Sequence, residues 1–111
     1  MSKIKAFYSC YENQVYVIWL DNNPLFTNYS IIRDGKEIMS GKREDFHHPE
    51  EFDHDHHTNL FRKRSKHELC YHDTDIQKFH EYWYQVIYRQ ISEEGNELSA
   101  SVTRSVKVYT S

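Results

Sequence analysis

Between Glu81 and Ile91 the chain alternates with a period of two, placing Tyr82, Tyr84, Val86 and Tyr88 on one side and Trp83, Gln85, Ile87 and Arg89 on the other. A helix turns every 3.6 residues and would scatter these side chains around its surface, so the segment predicts a long, half-buried strand. A strand cannot stand alone: its backbone groups need neighbours to pair with and its apolar side needs a second layer to pack on.

The rest of the chain supplies both. Gln14–Leu20 is apolar on its two faces, Val15, Val17 and Trp19 against Tyr16, Ile18 and Leu20, with β-branched and aromatic residues that favour a pleated surface. Asp21 to Pro24 carries turn chemistry. Asn28–Arg33 and Lys36–Met39 read as strands joined at Asp34-Gly35, a dipeptide suited to a type I′ hairpin because both central residues need positive φ. Leu69–Tyr71 reads as a short strand, residues 93–97 as a hairpin tip, and Ser101 to Thr110 as one closing strand with Val102, Val106 and Val108 on one parity. No amphipathic helix competes, and roughly seven strands point to an all-β, antiparallel β-sandwich of about 100 residues.

Size and composition agree. A chain of 111 residues with nine Tyr, six Phe and two Trp is a single domain, residues 1–111, with large side chains to fill its core. A net charge of −3 argues against a general nucleic-acid binder, whose affinity rests on neutralising phosphates. No run approaches the roughly 20 apolar residues of a membrane-spanning helix, and Met1 to Tyr11 lacks the apolar run of a secretory signal. The expectation is a chain without an export address, cytoplasmic or virion-associated.

The pattern resembles a fibronectin type III domain of the bacterial and phage type. Val15-x-Val17-x-Trp19 resembles that family's second strand with its core tryptophan, and Tyr29-x-Ile31-x-Arg33-Asp-Gly35 its third strand and hairpin. Ile76-x-Lys78-x-His80-x-Tyr82 has the spacing of the Leu-x-Pro-x-Thr-x-Tyr signature, with Lys78 and His80 where Pro and Thr are usual. The resemblance makes Tyr82 a tyrosine-corner residue whose hydroxyl bonds the backbone a few residues upstream. It implies a seven-stranded sandwich with Cys10 on the first strand and Cys70 on the fifth, the Trp19 strand lying between them; two cysteines outside any Cys-x-x-Cys pair are too few for a disulfide scaffold and read as buried, reduced thiols. An immunoglobulin-like variant is the alternative. Residues 42–68 fall outside the resemblance and read as an insertion, a long loop with a short strand at Thr58–Arg64.

Five of the eight histidines lie in residues 42–57 of this insertion. Imidazoles and carboxylates at His-x-His spacing suit zinc or nickel, because alternate residues of an extended segment project to one side. His54 and His56 would form the pair, completed by Asp53, His57 or His47. The opposing reading is a solvated acidic loop with no cofactor. Arg62-Lys63-Arg64-x-Lys66 is open to phosphate or acidic-partner contacts, or is the solvated end of a strand. No nucleophile elbow, phosphate loop or His-Glu-x-x-His is present, so an enzyme is not expected.

The surface carries more information. With Tyr82, Tyr84 and Val86 inward, Trp83 and Ile87 turn outward with Ile32 and Tyr109 nearby, an apolar face of the kind that marks an interface. On the other sheet Tyr16, Ile18 and Leu20 turn outward, and the insertion is expected to cover them with Phe46, Phe52 and Phe61. Sheet edges are free to pair with a partner strand or a second copy. The functional expectation is a non-enzymatic protein-interaction module that binds a protein partner or itself; the alternative is a transition-metal-dependent binding protein.

Overall fold

The computed structural model describes residues 3–49 and 67–111. The strands are β1 (Ile4–Ser9), β2 (Gln14–Leu20), β3 (Asn28–Arg33), β4 (Lys36–Lys42), β5 (Glu68–Asp73), β6 (Glu81–Ile91), β7 (Glu97–Val102) and β8 (Val106–Tyr109), with one short 3₁₀ turn at Arg43–Asp45. All pairings are antiparallel. A three-stranded sheet in the order β1-β2-β5 packs on a five-stranded sheet ordered β4-β3-β6-β7, with β8 also paired to β6. The molecule is thus an all-β sandwich.

Local chemistry sets the connections. Asp34 and Gly35 have φ of 53° and 82°, the positive pair that a two-residue hairpin needs if its twist is to match the flanking strands. Tyr29 and Ile31 on β3 point inward beside Tyr84, Val86 and Tyr88 of β6 and Val108 of β8; Ile4, Val15, Val17, Trp19 and Leu69 meet them from the smaller sheet.

Among the described residues the sandwich has eight strands rather than seven, because the closing segment is two strands and not one. Tyr84 pairs with Val106 and Ile87 with Val102, so Gln85 and Val86 face three residues, Thr103 to Ser105. Thr103 holds this bulge in place: its N–H donates to Val86 O at 3.0 Å, and its Oγ1 accepts from Val86 N–H at 3.0 Å. The extra residue exchanges the faces. Val102 therefore points outward while Val108 is buried, although the two share a parity in sequence.

Phe46 also departs from expectation. Its ring enters the core, 5.1 Å from Trp19 and 6.2 Å from Tyr29, instead of covering the outside of the smaller sheet. Residues 46–48 run beside β5 rather than away in a loop, with backbone bonds in both directions between His47 and Cys70. Phe52, Phe61, the expected strand at Thr58–Arg64 and the Arg62–Lys66 run lie outside the described residues. On the outer side of the smaller sheet Tyr16, Ile18 and Cys70 form a second, small buried cluster. Cys10 is not buried: β1 ends at Ser9, and Cys10 sits exposed in the turn to β2, where Asn13 takes φ of 55° and its side chain accepts from the Tyr8 hydroxyl at 2.8 Å. Neither cysteine is in a disulfide among the described residues.

Candidate functional site

The strand pairings bring the surface residues singled out from the sequence onto one face. On the outside of the larger sheet, Ile32 lies opposite Gln85 and so diagonal to Trp83 and Ile87; Glu81 lies opposite Tyr109, which is diagonal to Trp83. Trp83 is 44% exposed and Tyr109 54%, while Ile32 and Ile87 are partly covered by their neighbours. Val102, 54% exposed and directly opposite Ile87, extends the patch. Parity alone hides Val102, since the bulge that turns it outward depends on Thr103 meeting Val86.

Polar groups border the patch and fix its central ring. The Trp83 indole N–H donates to Glu81 Oε2 at 3.1 Å, and Lys107 Nζ lies 5.8 Å from the ring centroid, a cation–π contact across the β6–β8 pair. The Trp83 backbone N–H donates to Asp34 Oδ1 at 2.9 Å, tying the hairpin to β6. At the other end of the face the apolar character stops: Arg89 bonds Ser30 and pairs with Glu97 at 3.0 Å. A large ring held from both sides loses little rotamer freedom on binding, which is the property of an anchor residue.

The two residues expected to be structural sit apart from this face. Trp19 is core, and its indole N–H has no hydrogen-bond partner among the described residues. The Tyr82 hydroxyl accepts from the Gln77 N–H at 2.8 Å, and the Arg33 guanidinium stacks 5.7 Å from its ring, so the β5–β6 connection is pinned to the sandwich end.

The ionisable groups between the sheets are already engaged with one another. Arg33 Nη1 donates to both oxygens of Asp73, at 3.0 and 2.9 Å, and Tyr84 donates to Asp73 Oδ2. At the opposite end Asp21 takes the Tyr29 hydroxyl and Arg43 Nε. Burial, then hydrogen bonds to the carboxylates, pushes the Tyr29 and Tyr84 hydroxyls well above the ordinary tyrosine range. Each carboxylate is hydrogen-bonded between a guanidinium and a phenol, an arrangement that joins the sheets.

Of the histidine cluster, His54, His56, His57 and Asp53 lie outside the described residues. His47 is described: it is exposed beside β5, with its ring centroid 5.7 Å from that of His72. Among the described residues no group of three His, Cys, Asp or Glu side chains is placed to hold a metal ion, and no helix is long and apolar enough to cross a membrane. An open groove of about 650 Å³ at the start of β1 is bordered by Lys3, Lys5, Leu20, Glu68 and Arg104, with Lys5 and Glu68 paired across it at 3.5 Å.

Compared with known proteins, the chain matches no family model, no curated protein and no solved structure.

Proposed function

We propose that this chain is a non-enzymatic protein-interaction module on a fibronectin type III-like sandwich, and that it binds a protein through the outer face of the larger sheet at Trp83, Ile87, Ile32, Tyr109 and Val102. The observation that carries the reading is Trp83 itself. It is an indole on a regular strand, 44% exposed, set by Glu81 and Lys107 at the middle of an apolar patch with a charged border. The fibronectin type III assignment draws its support from the strand order, β1-β2-β5 facing β4-β3-β6 with the last strands on the edge, and from the Tyr82–Gln77 bond at the corner. The non-enzymatic assignment draws its support from the two intersheet clusters, whose polar atoms are spent on one another.

Competition tests the binding face. Immobilised protein retains a partner from a cell extract; soluble wild type displaces it, and Trp83→Ala, checked by its unchanged melting cooperativity, does not. Equal displacement by the two would remove Trp83 from the interface and with it this reading.

A further inference from the structure

The edges of the two sheets are not equally protected. β4 carries Lys36, Glu37 and Lys42 and is bulged against β3 between Ile31 and Ile32. β5 is capped by the backbone of His47, and β8 has Lys107 within it and Arg104 just before it. Charges, bulges and covering segments are the devices by which sheets avoid pairing with other chains. β7 lacks them from Ser99 to Val102: the sequence Ser-Ala-Ser-Val has no charge and no proline, every residue is exposed, and the strand's one irregularity, at Leu98, lies at the hairpin end.

The backbone says which groups are open. Thr103 N–H points at Val86 O, so by antiparallel alternation Ser101 and Ser99 turn their N–H and C=O groups toward β6, while Val102 and Ala100 turn theirs away. Leu98 is the extra residue of the bulge and has no partner across the ladder. We propose that β7 is the docking edge for a second copy of this chain, paired antiparallel with itself about a two-fold axis at Ala100.

Charge complementarity favours a second copy over an unrelated strand. With Ala100 opposite Ala100, Leu98 of each copy meets Val102 of the other. The same register brings Arg104, which follows β7, alongside Asn96 of the other copy, at the foot of its acidic hairpin tip, Glu93-Glu94-Gly95. The match is reciprocal, as a two-fold interface requires. Because the axis stands perpendicular to the sheet, the two Trp83 faces come out on one side, joined through Val102. The pairing stands on the β7 backbone and is independent of whether Trp83 binds a partner.

Sedimentation equilibrium on the full chain tests it, with concentrations up to about 1 mM, the range that a small edge-to-edge contact calls for. The wild type approaches twice 13.5 kDa. Ala100→Pro, which removes an N–H that β6 does not use, and Val102→Lys, which places a charge on the edge, both remain monomeric with unchanged melting cooperativity. Trp83→Ala still dimerises, which separates this edge from the proposed partner face. In a Cys10→Ser background, Ala100→Cys forms a disulfide-linked dimer on mild oxidation, since the facing Cα atoms of such a pair lie about 5.5 Å apart. A monomer at every concentration overturns the proposal, as does a dimer that survives both Ala100→Pro and Val102→Lys.

Discussion

Across the gap between the two sheets, the Tyr84 hydroxyl donates to Asp73 Oδ2 at 2.6 Å. Asp73 is 1% exposed and belongs to β5 in the smaller sheet; Tyr84 belongs to β6 in the larger, and Arg33 of β3 completes the cluster from the same side as Tyr84. Hydrophobic contacts set how close the sheets come but not how they slide past one another. A hydrogen-bonded buried charge does set that, because any slip leaves it unpaired.

The two partners of Asp73 should therefore differ in what their loss costs. Tyr84→Phe keeps the ring and removes one donor to an anion that Arg33 still holds, a loss of about 1–3 kcal/mol. Asp73→Ala leaves the guanidinium without its main partner and is expected to cost about 3–5 kcal/mol. Urea unfolding of the single and double variants measures both, and the double variant should lose less than the sum, because the two share one interaction. Additive losses would mean that the hydroxyl and the carboxylate act separately.

Alkaline pH should unfold the protein through the same phenols. Burial raises the hydroxyls of Tyr29, Tyr84 and, less, Tyr71; hydrogen bonds to Asp21 and Asp73 add to the first two, and the charge of Asp73 to the third. In the unfolded chain each ionises near its ordinary value of about 10. A raised folded value means that the folded state holds the proton longer, so this stability is fully present below pH of about 10 and drains away as pH rises beyond it. A tyrosinate absorbance titration should show Tyr29 and Tyr84, two of the nine tyrosines, ionising only as the fold is lost, and Tyr29→Phe should make the stability less steep with pH above that point. If all nine titrate while near-UV circular dichroism is intact, these hydroxyls are not sealed in the core.

What the sequence made legible was local. The alternation at Glu81–Ile91 and the run Gln14–Leu20 coincide with β6 and β2, and Asp34-Gly35 with its hairpin, because each is specified by adjacent residues. The outward parity of Trp83, Ile87 and Ile32 was legible for the same reason. Contacts distant in sequence were not: Arg33 and Asp73 are 40 positions apart, and nothing near either marks a buried pair. The bulge at Thr103 is set by Val86, so the face reached by Val102 could not be read from its own strand. Phe46 lies in a polar stretch with no periodicity around it, and it enters the core only because the β4 end and the 3₁₀ turn deliver it there.

Phe46→Ala tests that delivery. The ring makes edge-on contacts with both Trp19 and Tyr29, so its removal opens a cavity in the middle of the core, at a cost of about 3–5 kcal/mol. Guanidinium unfolding followed by tryptophan fluorescence reads the loss. A change below about 1 kcal/mol, typical of a surface position, would mean that the residues after β4 are not part of the folded body.

Phe79 poses the opposite case, a residue whose replacement should stabilise. It has φ of 64° and is 68% exposed, just before β6, with its N–H bonded to the Thr110 carbonyl. A bulky side chain in the left-handed region places Cβ against the backbone carbonyl, at about 1–2 kcal/mol, whereas asparagine adopts the region readily because its short amide bonds locally. Little burial is lost, so Phe79→Asn should gain roughly 0.5–1 kcal/mol, seen as a melting temperature higher by about 2–8 °C. Phe79→Val should fall below wild type, since a β-branched residue tolerates positive φ least. A rise for Asn with a fall for Val locates the strain in the backbone, and it leaves the exposed ring as a feature that folding alone does not require. Loss in both variants would mean instead that the ring packs usefully against the sandwich end and that the conformation costs little.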